Sequence, residues 1–363
     1  MVFTPNRSYD QQLAILQSRG RIIQDLQRAT LHLQNVAYYR LAAYWYPFRE
    51  IQRSSESNSV IRAERFSAGT YFEDAQALWQ FDRALRLLLL EAMETIEVAL
   101  RVRVSHRIGE GDAFAHLDPS LLDTARCSEP VQTPAGEMTA HDWWLCRYNE
   151  KLASTEDDIL RLYRERWTMK PPVWVAVELL DFGMLSTFLR LLTKAQQSDI
   201  ACTFVISQGT FLVNWVEDLN HVRNMCAHHA RVWNQPVTFR LQRIPIGRAQ
   251  LLDPLHEITG TSKTRIYSVL HLCAFLLHGL NDDTDWAPRV AHLLRSFPVS
   301  KAASTANMGA PAEWETFAIW TMRIQFSRLS VDTLAHVRGM SQPSSNAPRV
   351  NRRPRGLHHD RIQ

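Results

Sequence analysis

Apolar residues recur every three or four positions along most of this chain, and the pattern reads as one helix after another. The longest run covers residues 72–108, where Leu78, Phe81, Leu85, Leu88, Ala92, Ile96 and Ala99 keep that spacing. Asp82/Arg86 and Glu97/Arg101 stand four apart on its other faces, as ion pairs on a helix surface would. Thr70 with Glu73 predicts a capping box at its start, and Gly109 and Gly111 predict its end. At ~1.5 Å per residue such a helix is on the order of 55 Å long.

Elsewhere the pattern predicts shorter helices. Ser8 opens one that Gly20 stops, and a second covers residues 24–33. Residues 38–48 (YYRLAAYWYPF) are unusually aromatic, and residues 52–64 read as a polar, Ser-rich loop. Residues 112–140 read as loop around Pro119, Pro130 and Pro134. Residues 154–157 cap a helix to 167, and Pro172 suits the first turn of a helix over 173–180. Phe182-Gly183 breaks that helix, which resumes over 185–192, and Thr210 caps another over 211–229. A short β-favouring stretch over 237–246 precedes helices over 264–280 and 286–297. Residues 298–311 read as a linker, and a last amphipathic segment starts at 312. The whole reads as all-α.

Composition narrows the field. The chain is 45% hydrophobic and 21% charged, an ordinary globular balance that excludes a low-complexity or collagen-like chain. Only 13 of 363 residues are glycine, and neither G-x-x-x-x-G-K-[ST] nor G-x-G-x-x-G occurs, so P-loop and Rossmann readings lose their support. The net charge of +4 is local: residues 349–363 hold five Arg and one Asp, and the remainder balances at 36 basic against 36 acidic. A basic body for binding nucleic acid is not indicated, which leaves a basic arm or local patches open. The five cysteines form no C-x-x-C pair, which argues against zinc ribbons and a disulfide framework. The longest uncharged apolar run, residues 266–280, is shorter than the ~20 residues a membrane span needs, so a cytoplasmic protein without a membrane partner is expected.

The chemistry concentrates in residues 211–234, FLVNWVEDLNHVRNMCAHHARVWN. With about 100° per residue and Trp215 at zero, Leu219, Val222 and Cys226 fall within about 40° of it and form a core face. Glu217, His221, Asn224 and His228 fall about 180–240° away, and Arg231 joins them if the helix lasts that long. Arg223 sits at the edge between the faces, and His229, nearer the core side, is expected to be packed. A solvated helix face is one reading of this stripe. Lys and Glu are the better helix formers for such a face, so two histidines and an asparagine are unusual there. The chemical reading is that Arg223 supplies a permanent cation and His228 a group titrating near neutrality. Metal-free RNA cleavage needs both. A base takes the 2′-OH proton, an acid protonates the leaving 5′-oxygen, and a cation stabilises charge on phosphorus. One histidine does not easily serve both sides of an in-line displacement, whereas two copies of the helix across a two-fold axis could.

Arg223-Asn224-Met225-Cys226-Ala227-His228-His229-Ala230-Arg231-Val232-Trp233-Asn234 resembles the R-N-x-C-A-H-H-x-R-L-W-N signature of Abi-like abortive infection proteins, the AbiD/AbiF group of the HEPN superfamily. Further matches are Tyr38-Tyr39-Arg40-Leu41, Tyr44 to Arg49, Phe81-Asp82-Arg83, Glu97 to Arg101, Pro171 to Trp174, and Glu178 to Gly183, so the likeness spans roughly residues 10–235. The resemblance implies a HEPN-like helical bundle and a metal-independent endoribonuclease without cofactors. It implies defence against bacteriophage by RNA cleavage, toxicity when unrestrained, and in some members a small non-coding RNA partner. It maps the catalytic pair onto Arg223 and His228, with Asn224 orienting them.

Arg101 and His106 form a second R-x4-H, read as a structural or phosphate-contact pair. With His221 and Arg231 they are the further candidates for touching RNA. The aromatic cluster 38–48 either packs against the long helix or stacks bases. Trp143, Trp144, Trp167 and Trp174 are expected in the core, Cys226 as a packed thiol, and no metal site is expected. Residues 1–240 are expected as the Abi-like domain, 241–297 as a helical extension, 298–311 as a linker, 312–340 as a C-terminal helix, and 341–363 as a basic tail. A homodimeric ribonuclease acting on RNA is the leading expectation. The alternative is a non-catalytic RNA-binding or sensor protein on the same fold; a DNA-binding regulator lacks a basic recognition helix.

Overall fold

The computed structural model describes residues 6–53, 60–165, 170–237, 243–280 and 285–321. The chain opens with α1 (Tyr9–Ser18), α2 (Leu26–Val36) and α3 (Tyr38–Trp45). Ser8 and Gln11 cap α1 reciprocally, as the sequence predicts. A hairpin of β1 (Arg49–Arg53) and β2 (Val60–Phe66) follows, where a polar loop was expected; only residues 54–59 of that loop lie outside the described residues.

Then comes α4 (Phe72–Gly109), 38 residues long and close to the predicted bounds. Its cap is shifted by one residue, with the Tyr71 N–H donating to Asp74 Oδ2 at 2.7 Å. The helix is the axis of the bundle. Leu78, Leu85, Leu89, Met93, Ile96, Leu100 and Val104 are all buried along it. Apolar burial on several of its faces is possible because other helices surround it.

The stretch expected as loop over 112–140 holds α5 (Thr124–Cys127) and a second hairpin, β3 (Pro130–Thr133) with β4 (Gly136–Thr139). It leads into α6 (Ala140–Ser154), which the sequence pattern did not announce, and α7 (Asp158–Glu165). The Asp157 carboxylate caps α7, accepting from the Ile159 and Leu160 N–H groups. Next come α8 (Val173–Ala176), α9 (Phe182–Leu191), α10 (Lys194–Cys202) and α11 (Gly209–Ala227). Phe182-Gly183 begins α9 rather than breaking a helix, because Asp181 caps it by accepting from the Met184 N–H at 2.8 Å.

The last described helices are α12 (Ile266–Gly279), α13 (Trp286–Arg295) and the short α14 (Ala318–Thr321). Helices α12 and α13 pack on α4, so the expected extension shares the main core. The expected linker over 298–311 is packed too: Ala303, Met308 and Ala310 are buried. Residues 238–242 of the β-favouring stretch lie outside the described residues, as do Trp167, most of the expected C-terminal helix and the basic tail. No described helix is long and apolar enough to cross a membrane. The architecture is all-α with two small antiparallel hairpins.

Candidate functional site

Helix α11 carries the stripe. At its start a Cβ on Gly209 would meet Gln197 Cβ at 2.5 Å and Gln197 backbone at 2.6 Å, so only glycine lets α11 approach α10 so closely. Trp215, Leu219, Val222 and Cys226 are buried, and Glu217, His221, Asn224 and His228 are exposed. Arg223 is half-buried at the edge, as the phasing predicts, and its Nη1 donates to Asn224 Oδ1 at 3.4 Å. Burial pushes the Cys226 thiol up to about 12, which leaves it an inert packing group.

The helix stops two residues earlier than expected. His228 is its C-cap, His229 adopts φ +58°, and Ala230 N–H donates to Met225 O at 2.9 Å while His229 N–H donates to Cys226 O at 3.0 Å. These paired bonds make a Schellman turn with histidine where glycine is usual. Two expectations are corrected by it. Arg231 does not extend the stripe, because the chain has left the helix. His229 is exposed rather than packed, because the turn swings it off the core face.

Residues 229–234 are then fastened from several elements. Arg40 Nη1 donates to His229 O at 2.9 Å and Arg86 Nη1 to Ala230 O at 3.2 Å. Arg231 Nη1 donates to Ala43 O, and Arg265 Nη1 to Asn234 O. At the centre lies Asp82, fully buried on α4. It accepts from Tyr44 OH at 2.6 Å, from Trp233 N–H at 2.7 Å and from Val232 N–H at 3.2 Å, and pairs with Arg86 Nη1 at 2.5 Å. Burial pushes its carboxyl above the usual range against the pull of Arg86, Tyr44 and the two N–H groups. The surface pair read from the i,i+4 spacing is thus a buried hub, and it fixes the chain immediately after His228.

The other candidates are dispersed. Arg101 is spent on protein acceptors: Glu97 Oε1 at 2.5 Å, Leu180 O at 2.7 Å and Glu178 Oε2 at 3.4 Å. His106 is exposed beside Glu110 at 3.5 Å, whereas the Arg101 side chain is drawn to the start of α9 by Leu180 O. Of the aromatic cluster, Tyr44, Trp45 and Phe48 are buried, whereas Tyr39 is 90% exposed. Trp174 is exposed, against expectation, and Trp144 is buried. Among the described residues no three His, Cys, Asp or Glu side chains converge as metal ligands.

The sequence reading missed the role of Asp82, although Phe81-Asp82-Arg83 was among the quoted matches. It also missed that Arg101 ties α4 to the start of α9, donating to Leu180 O.

The fold is an all-α bundle, with Arg223, Asn224 and His228 at the C-terminal end of α11. The family model described as Abi-like protein matches residues 31–234, more than half of the chain, and the chain belongs to that family. No curated protein and no solved structure matches it. Membership supports a part in abortive infection, the defence of bacteria against phage, in general terms. All seven candidate residues, from Arg101 to Arg231, lie inside the matched span, whereas α1 and the helices after 234 lie outside it.

Proposed function

We propose that this protein is a HEPN-type endoribonuclease that needs no divalent metal and acts as a homodimer. The observation that carries the reading is the grouping of Arg223, Asn224 and His228 at the exposed end of α11, where a Schellman turn fixes the backbone at His228. His228 moves the proton, as base on the 2′-OH or acid on the 5′-oxygen. Arg223 stabilises charge building on phosphorus, and Asn224, in contact with Arg223, orients it. The facing copy supplies the second proton carrier. RNA is the substrate, and a small non-coding RNA is a partner to look for among copurifying nucleic acids.

Purified protein with total bacterial RNA tests the reading. Wild type cleaves in EDTA, and His228→Ala and Arg223→Ala each cleave at least ~100-fold more slowly. Cleavage abolished by EDTA, or unchanged in His228→Ala, overturns it. If RNA binds equally to wild type and His228→Ala and neither cuts, the non-catalytic RNA-binding alternative takes its place.

A further inference from the structure

The segment after His228 is fastened by four arginines: Arg40 on α3, Arg86 on α4, Arg231 within the segment and Arg265 at the start of α12. Of these, only Arg86 has a carboxylate in ion-pair contact among the described residues, the buried Asp82. The other three are held by neutral acceptors: Arg40 by His229 O, Arg231 by Ala43 O and Gln235 Oε1, and Arg265 by Asn234 O. A carbonyl orients a guanidinium without cancelling its charge. Arg223, bonded to Asn224 Oδ1, likewise has no carboxylate at ion-pair distance among the described residues. The C-terminal end of α11 is thus a concentration of positive charge whose anion, Asp82, is already paired, although the chain outside its basic tail is electrically balanced.

An aromatic ring stands beside this charge. Helix α3 buries Tyr44 and Trp45 in the core, and Tyr38 meets Trp45 edge-on at 5.0 Å. Tyr46, half exposed, already has Arg49 and Arg62 over its ring, each 5.7 Å from the centroid. Tyr39 is the exception: it is 90% exposed, and among the described residues no ring or cation lies over it. Its neighbour Arg40 is exposed too. The single bond from Arg40 Nη1 to His229 O, 2.9 Å long, sets the first turn of α3 against the turn after His228. It leaves the other Arg40 N–H groups without acceptors among the described residues.

We propose that Tyr39 and Arg40 form a grip for single-stranded RNA, in which Arg40 takes a backbone phosphate and the Tyr39 ring stacks a base of the same strand, which runs on to His228. A guanidinium with free N–H groups in a planar fork suits a phosphate. An uncovered ring stacks any base whose face is open, which a single strand offers and a duplex does not. An acidic peptide satisfies the arginines, but only a nucleic acid brings a flat face with every phosphate. The grip serves the site proposed above and in that sense rests on that reading, but its binding is measurable without cleavage.

Fluorescence anisotropy on the full chain decides it. The probe is a short labelled RNA of mixed sequence, 2′-O-methylated so that no 2′-OH attack can cut it, as a single strand, as a duplex and as an abasic strand. We expect Tyr39→Ala to weaken single-strand binding ~5–50-fold, Tyr39→Phe to bind as wild type does, and neither to change binding of the abasic strand. Arg40→Gln weakens binding of both strands and lowers the dependence of log Kd on log salt by about one. With cleavable RNA, Tyr39→Ala raises KM and changes kcat little. Thermal midpoints accompany each variant, and Arg40→Lys replaces Arg40→Gln if the latter does not fold. Equal single-strand binding by wild type and Tyr39→Ala, an equal loss on the abasic strand, tighter binding of the duplex, or no RNA binding at all overturns the inference. If Tyr39→Ala loses binding and wild type cuts no RNA, the grip stands and the ribonuclease reading falls.

Discussion

The twelve residues 223–234 divide into two regions of opposite physical character. The first half, Arg223 to His228, is helical and presents Arg223, Asn224 and His228 outward with few protein partners. The second half, His229 to Asn234, is not helical, and its backbone is held by Asp82, Arg86, Arg40 and Arg265. One half keeps polar groups free for another molecule. The other commits most of its backbone to hydrogen bonds inside the protein. The same short segment thus carries both the proposed site and the fastening that follows it.

Breaking the fastening is expected to have the largest effect on folding. Asp82→Ala leaves Arg86 buried without its partner and orphans the Val232 and Trp233 N–H groups. A loss of about 3–5 kcal/mol follows, read from urea or thermal unfolding. His228→Ala, in the other half, is expected to leave the unfolding midpoint within about 0.5 kcal/mol of wild type, since the side chain is exposed. Comparable destabilisation by the two variants would erase the contrast.

A smaller effect comes from Asp218, on α11 between the two faces. Its Oδ2 is buried without a hydrogen-bond partner among the described residues, and burial, helped by Glu217, pushes its carboxyl up to about 7. The folded state therefore holds this proton more tightly than the unfolded chain, whose aspartate titrates near ~3.9. The contribution to stability is complete below that value and is lost as pH rises through about 7. Asp218→Asn should be more stable than wild type at pH 8 by about 1 kcal/mol, after discount for solvent screening, with the advantage gone at pH 4. An equal difference at both pH values would show that charge is not the cause.

The smallest effect tests the junction itself. His229 holds φ +58°, a conformation that costs a side chain about 1 kcal/mol and glycine nothing. His229→Gly releases that strain but frees the unfolded chain, so stability should rise by less than about 1 kcal/mol, and cleavage should stay at the wild-type rate. A large loss of cleavage would assign His229 to the chemistry.

Periodicity made much of this legible. The buried and exposed faces of α11 follow from counting residues, and so does the near-full extent of α4. Local signals failed where they were weak or non-local. Strands β1 and β2 are strongly polar and show no clear alternation, so the hairpin read as loop. Helix α10 buries few side chains and left no recognisable stripe. The segment over 298–311 is built of small and polar residues, and only its contacts reveal that it is packed.

By itself the sequence determined the helical class, the buried and exposed faces of α11 and the family. Each of these is written within a few turns of one helix or in one contiguous motif, where the 3.6-residue period links position to face. The tertiary structure alone decided that α11 ends at Ala227, that Asp82 and Arg86 are interior, and that Arg101 reaches the start of α9. Asp82 meets Val232 across 150 residues of chain. A spacing of four on a helix is the same whether its face meets water or another helix, so burial and the partner of each charge were settled only when the bundle closed.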